Sequence, residues 1–448
     1  MNEEIIIGAG PSGLSYGLFS NNKKIILEKN SAPGGHASSF KLNKFTFDYG
    51  PHILFSKDKE ILNFIVKTLG KNISLCKRNN KISYKQKLID FPFENDLGSL
   101  DPKDNLECIR DFINNKKKVK NPKNLEEWLL NIFGKSICEK YLFPYNEKVW
   151  NIKVKNMSMS WASRIPNPPF IDVLKGSIGI KTPGYLHQLY YHYPKNNGYQ
   201  SISESWAKRL EVNYNFEVNS IKSKNKRLIV TDKYKKSFSC KRLITTMSIK
   251  ELIKVLKINI PKKIKKDVSS LIVNPMIIIS LGIKGLDKKK YTAIYFPEKS
   301  FPVNRISYPC TFSKKNGPKN HYSIQAEITC KKNSKIWKMS KNKIINLVIT
   351  GLIKKKIIKD KKDIVLTDIK KVKESYVVYD TGFEKKIERI RMWFYTRNII
   401  LLGRFSFFEY INVDMAVKRS IEIFKKLNNS NTKKKIILKQ VLKKKFHA

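Results

Sequence analysis

Six residues near the N-terminus carry the most explicit chemistry in the chain. Gly8-Ala9-Gly10-Pro11-Ser12-Gly13 follows a short β-rich run, Glu4 to Ile7, and opens a helix-like stretch with a further glycine at Gly17. A second strand follows over Lys24 to Leu27 and ends at Glu28, 20 residues after Gly8. This is the strand–turn–helix–strand setting in which a glycine triplet binds a dinucleotide. Gly8 permits the tight turn, Gly10 lets backbone approach a pyrophosphate, and Gly13 lets helix and strand pack closely. Pro11 and Ser12 open the helix, whose N-terminal N–H groups and dipole favour phosphate. Glu28 stands where an acid accepts hydrogen bonds from ribose hydroxyls and disfavours a 2′-phosphate, with Lys29 beside it as a further cofactor contact. The fingerprint alone does not separate NAD from FAD. Gly34-Gly35-His36 comes next, and its glycines again allow close backbone approach. Phe45 to Asp48 then alternates like a strand and enters Tyr49-Gly50-Pro51-His52, a turn that presents a histidine close to the cofactor fingerprint. Phe91-Pro92-Phe93-Glu94-Asn95 sets two aromatic rings about a proline, able to hold a planar base or to anchor a surface turn.

Further along stand Tyr145-Asn146-Glu147-Lys148-Val149-Trp150, then Trp161 and Arg164, then Tyr295, Arg305, and finally Gly403-Arg404-Phe405 with Tyr410, Asn412 and Asp414. In this order the segments resemble the UDP-galactopyranose mutases and their FAD-dependent relatives, flavoproteins of the amine-oxidase and protoporphyrinogen-oxidase type. Gly34, Gly35 and His36 resemble the second glycine pair of that superfamily. The resemblance implies FAD as the cofactor, in its reduced form for the mutase reaction. It sets His52, beside Gly50, against the isoalloxazine, with Gly403, Asn412, Asp414 and Met415 lining the flavin. Arg404 is expected to meet the cofactor or a nearby backbone carbonyl. Phe93, Tyr145, Asn146 and Trp150 are expected to hold uridine. Arg164 and Arg305 are expected on the diphosphate, which suits guanidinium geometry, with hydroxyls from Tyr295 and Tyr410. His52, Arg164, Arg305, Tyr295 and Tyr410 then form the catalytic set.

The reaction implied is interconversion of UDP-galactopyranose and UDP-galactofuranose through an adduct at N5 of the reduced flavin, with no net redox change. Its partners would be a nucleotide sugar of the UDP-galactose class and a donor of electrons to FAD, in cell-surface polysaccharide biosynthesis. The alternative on the same scaffold is an FAD-dependent oxidoreductase of the amine-oxidase or protoporphyrinogen-oxidase type; a third is a non-catalytic binder. Three segments depart from the family pattern: Leu186-His187-Gln188-Leu189, Asn196-Asn197-Gly198, and Glu94 where eukaryotic mutases have glutamine. These bear on the substrate more than on the cofactor.

The elements that must position these residues read as an α/β fold. A discontinuous Rossmann-like FAD-binding domain is expected over 1–62, about 195–270 and 395–428, with a helical insert over 97–170 and a mainly antiparallel β-sheet or substrate domain over 271–394. The 429–448 segment is a basic tail, expected to be solvated and partly disordered, or else to touch a membrane surface weakly as an amphipathic helix. The chain has 448 residues, 41% of them apolar, and a formal charge of +52. Lysines are spread along the whole length with no nucleic-acid module, so no nucleic-acid partner is expected, although the positive surface can gather an anionic substrate. Six scattered cysteines show no metal spacing, so no metal site is expected and a reducing cytoplasm fits best. No secretory leader is expected, because the first strand begins almost at the first methionine. No transmembrane helix is expected either, since Leu271 to Ile283 is broken by Asn274 and Pro275.

Overall fold

The structure, a computed structural model, describes residues 2–115, 119–185, 189–428 and 434–443. Two large sheets organise it, and the α/β class expected from the sequence is what it has. The first sheet is parallel throughout, in the order Ile399–Leu401, Arg242–Thr245, Glu4–Ile7, Lys24–Leu27, Val212–Asn213. Glu4–Ile7 is buried at every position, as a strand covered on both faces must be, and this explains its unbroken apolar reading. The helix Pro11–Phe19 packs on this sheet and against the helix Val413–Leu427, where Ser15 and Ser420 hydroxyls meet at 2.8 Å. A discontinuous Rossmann-like domain results, because its strands come from three separated stretches of chain.

The second sheet has seven strands, in the order Ile364–Val378, Ile272–Lys284, His321–Thr329, Arg305–Ser307, Ala293–Tyr295, Asn80–Tyr84, Lys87–Asp90. Its pairs are antiparallel except that Ala293–Tyr295 runs parallel to Asn80–Tyr84. The apolar run in Ile272–Lys284 is thus a central strand, with a bulge at Asn274/Met276 that accommodates Pro275. Three helices, Pro102–Ile113, Leu125–Ile137 and Phe143–Trp150, form an insert over one end of this sheet, around Leu125, Leu129, Phe133 and Ile137. Smaller units complete the molecule, among them the hairpin Ser39–Leu42/Phe45–Asp48 and the three-stranded sheet Val218–Lys224, Arg227–Asp232, Ser237–Cys240.

One expectation fails. Within the basic tail, Lys434–Lys443 is a helix whose Ile437, Leu438 and Val441 are buried against the N-terminal helices. Lys434 pairs with Asp58 and reaches Glu60 at 3.3 Å. These three apolar side chains are covered by the protein, while Ile436 stays exposed; the flanking 429–433 and 444–448 lie outside the described residues. Among the described residues no helix is long and apolar enough to cross a membrane.

Candidate functional site

The strand Glu4–Ile7 has Lys24–Leu27 on one side and Arg242–Thr245 on the other. Strand order reverses there, and the crevice beyond such a strand's carboxyl end is where these sheets bind ligands. Gly8 leaves the strand with a φ of +101°, and a Cβ added to it would lie 2.1 Å from Thr246 Oγ1. A Cβ on Gly13 would lie 2.0 Å from the Gly8 carbonyl oxygen. Gly10 differs: a Cβ there meets nothing nearer than 3.8 Å, and it faces Gly34 and Gly35 across the turn. No side chain caps the helix Pro11–Phe19, so its first N–H groups are left for an anion. Gly403 approaches from the other end of the chain, where an added Cβ would stand 3.1 Å from Ser12 Oγ. Glu28 is buried; its Oε2 accepts from the Ala9 N–H at 2.7 Å, and its Oε1 accepts from Asn30 N–H and Nδ2 at 2.9 and 2.8 Å. The carboxylate therefore stiffens the turn while Oε2 keeps capacity for another donor, such as a ribose hydroxyl. These residues fit the pyrophosphate and ribose of a dinucleotide.

Beyond the turn stand two histidines that share Arg404 as a charged neighbour. His36 lies 2.9 Å from the Glu374 carbonyl through Nε2, and its ring is 4.6 Å from Phe405. His52 lies 2.8 Å from the Gly50 carbonyl through Nδ1 and stacks on Tyr199 at 5.2 Å. A carbonyl only accepts, so each of those nitrogens carries the proton. Burial, reinforced by the charge of Arg404, pushes His36 down to about 4 and His52 down to about 3. Both imidazoles are neutral at ordinary pH, and Lys29 adds slightly to the effect on His36. Arg404 donates to the Ile411 carbonyl through Nη2 at 2.6 Å and lies 4.6 Å from the Tyr410 ring. Asn412 precedes the helix Val413–Leu427, whose first turn holds Asp414 and Met415. Asp414 accepts from Ser56 Oγ at 2.7 Å, and burial raises its pKa.

An aromatic cluster forms the next part of the site, reached from Arg404 through Tyr410. Tyr145, on the helix Phe143–Trp150, meets the ring of Tyr295 edge-on at 5.6 Å and stacks on Tyr141. Trp150 is surrounded by the rings of Trp161, Tyr376 and Tyr410 at 4.2, 5.4 and 5.8 Å. Phe93 is 0% exposed and Trp150 3%; with the buried Asn146, which accepts from Trp150 Nε1, they back the cluster from behind. Tyr145, Tyr295 and Tyr410 are the partly exposed members. Burial raises the hydroxyls of Tyr145 and Tyr376 far above the ordinary tyrosine range, so both stay protonated donors. Arg164 donates to the Tyr410 carbonyl. Arg164 also borders a cavity of about 730 Å³ between the helices Phe383–Tyr395 and Val413–Leu427. Arg305 Nε donates to Glu327 Oε2 at 2.5 Å, beside Gly50. Burial works against the charge on Arg305, but Glu327 and then Tyr376 outweigh it and hold its pKa well above normal.

Three contributors carry no motif. Glu327 lies on the strand His321–Thr329, where polar Ser323, Gln325 and Thr329 are buried as well, so its sequence does not single it out. Tyr376 sits at a strand end and is likewise unmarked. Arg78 lies 4.9 Å from the Phe55 ring and near Tyr295 and Arg305, and burial lowers its pKa. Of the departing segments, Glu94 is buried and accepts from Tyr185 Oη at 2.6 Å, while Asn196-Asn197-Gly198 packs tightly on Ser39 and Asp48 of the hairpin. Leu186 to Gln188 lie outside the described residues.

Fold and site together define a dinucleotide-binding protein with a Rossmann-like domain. Residues 6–68 match the family model for the NAD(P)-binding Rossmann-like domain. Among solved structures, reduced UDP-galactopyranose mutase superposes with a TM-score of 0.88 at 22% identity, over 99% of this chain and 98% of that one. A putrescine oxidase bound to putrescine superposes at 0.69 and 12% identity, over 96% and 99%. Among curated proteins, the dTDP-fucopyranose mutase of Escherichia coli is 25% identical over 178 residues, 37% of this chain and 46% of that protein. The match thus spans under half of that relative's length. The chain has the fold of UDP-galactopyranose mutase from end to end, and the resemblance read from the motif order holds at that level.

Proposed function

We propose that this protein is an FAD-dependent sugar-nucleotide mutase that interconverts the pyranose and furanose forms of a UDP-galactose-class substrate. The observation that supports this most is one chain of contacts through the candidate residues. It runs from an uncapped helix end and glycine turn, past two neutral histidines, to the cluster of Tyr145, Tyr295 and Tyr410 with Arg164 and Arg305. Gly8, Gly10, Gly13 and Ser12 would hold the pyrophosphate of FAD and Glu28 its ribose, with His36, His52, Arg404, Asp414 and Met415 around the flavin. When bound and reduced, FAD would supply the nucleophilic chemistry of ring contraction with no net redox change.

The chain's own residues do the rest. Arg164 and Arg305 neutralise the diphosphate, and the Tyr295 and Tyr410 hydroxyls donate to it. Tyr145 offers a ring face to the base. His52, with its proton fixed on Nδ1 by the Gly50 carbonyl, would offer Nε2 as an acceptor without adding charge. The likeness to dTDP-fucopyranose mutase over part of the chain supports nucleotide-sugar chemistry of this kind. Calorimetry of UDP with FAD-loaded protein tests the reading. Specific binding at one site supports it. No UDP binding, together with oxidation of an amine by the oxidised enzyme, would favour the oxidoreductase alternative.

A further inference from the structure

We infer that Lys148 is a positioning residue: its ammonium, held by four backbone carbonyls, fixes the hairpin that carries Tyr295 and Arg305 beside Tyr145 and Glu327. Lys148 follows Tyr145 by three residues on the helix Phe143–Trp150, so the two share one side of it. Its Nζ donates to the carbonyls of Phe296, Glu298, Phe301 and Val303 at 2.7, 2.8, 2.7 and 2.7 Å. All four lie in 296–304, the segment between Tyr295 and Arg305, which are cross-strand partners. The strands Ala293–Tyr295 and Arg305–Ser307 have 3 residues each, too short to fix so long a connection by their own ladder. The connection is also braced at Glu298, which pairs with Lys355, and at Asn304, whose N–H donates to the Glu327 carbonyl and whose Oδ1 accepts from Thr329; Lys148 holds the stretch between these points and the turn itself. Tyr145 meets Tyr295 on the same interface.

The geometry of the cage is unusual for a lysine. No carboxylate takes part in it, and three N–H groups are shared among four oxygens. Converging carbonyls repel one another without a cation, and rings of carbonyls elsewhere replace the hydration shell of a monovalent ion. Burial draws Lys148 down to about 7, opposed by Glu298 and aided by Lys355; the four carbonyl dipoles favour the ammonium form. Deleting the side chain therefore leaves a site that ammonium or potassium can fill.

The test compares wild-type holoprotein with Lys148→Ala and Lys148→Met in chloride salts of lithium, sodium, potassium and ammonium at equal ionic strength. Thermal stability and UDP affinity are both read. Lys148→Ala should lose several degrees in Tm and bind UDP about tenfold more weakly, the scale of a misplaced contact. Ammonium and potassium should restore both, lithium and sodium neither, and the wild type and Lys148→Met should show no cation preference. Unchanged UDP affinity in Lys148→Ala overturns the inference, as does a loss that no cation restores or that all restore alike. If Lys148→Ala folds in no salt, the folded Lys148→Met decides: wild-type UDP affinity overturns the inference and a tenfold loss sustains it. The UDP readout rests on the proposed function; should the wild type not bind UDP, that function fails while cation-selective Tm still judges the cage.

Discussion

Gly10→Ala separates cofactor binding from folding more cleanly than any other substitution in the site. A Cβ on Gly10 has no neighbour within 3.8 Å, and the backbone there, φ −79° and ψ 174°, is open to alanine. Replacing glycine at a helix N-cap costs a few tenths to about 1 kcal/mol, and a stiffer unfolded chain returns roughly 0.4–1 kcal/mol. The apoprotein should therefore melt at the wild-type temperature. The added methyl nevertheless stands between Gly10 and the Gly34–Gly35 backbone, where close approach of a pyrophosphate is required. Losing two hydrogen bonds to a charged group at about 1.5 kcal/mol each costs about 3 kcal/mol, roughly a hundredfold in affinity. Gly13→Ala is the contrast. Its Cβ falls 2.0 Å from the Gly8 carbonyl oxygen, a backbone overlap costing about 1–3 kcal/mol or more before any ligand binds. Flavin absorbance after purification, with apoprotein melting beside it, reads both. Gly10→Ala purified with a full complement of FAD, or melting as low as Gly13→Ala, would refute the placement of the pyrophosphate.

Other outcomes follow from the same geometry. Glu327→Gln keeps an oxygen for Arg305 but removes its neutralising charge, so UDP should bind more tightly by about 1 kcal/mol, roughly fivefold. Arg305→Met should weaken binding and, by stranding the buried Glu327, cost about 3–5 kcal/mol in denaturant unfolding. His52 is held near 3 in the folded chain and returns to its ordinary value when unfolded. The unfolded state then binds the extra proton, so wild-type stability should fall as pH drops from about 6.5 towards 4, by up to about 1.4 kcal/mol per pH unit. Against that background the stability difference between His52→Gln and wild type should move in the variant's favour as pH falls; a pH-independent difference would show that His52 is not held neutral. Truncation after residue 428 removes Ile437, Leu438 and Val441 from the core and should lower the Tm by several degrees without changing vesicle binding, checked by calorimetry and co-sedimentation.

Local sequence carried the dinucleotide turn because its physics is local. Glycine spacing, the helix start and the acid at the second strand's end all lie within 28 residues, and the structure shows them in contact. The apolar run from Ile272 was legible as a strand from its Asn-Pro interruption, which became a bulge. The tail misled for the opposite reason. Its lysine density argued for solvent, whereas three of its aliphatic residues, Ile437, Leu438 and Val441, find partners in helices more than 360 positions away in the chain. The Arg305–Glu327 pair was half visible: Arg305 through its motif, Glu327 only through the sheet register that sets the two opposite each other. Lys148 stood inside a recognised segment, but its four carbonyl partners are backbone atoms that no residue type announces.

The most direct test of the central claim is conversion of UDP-galactofuranose to UDP-galactopyranose by purified FAD-loaded protein, followed by chromatography with and without dithionite. The proposed function predicts conversion with reduced flavin alone, and no net consumption of reductant per turnover. No conversion by a protein that holds reducible FAD and binds UDP would contradict the substrate, and conversion that proceeds equally with oxidised flavin would contradict the chemistry.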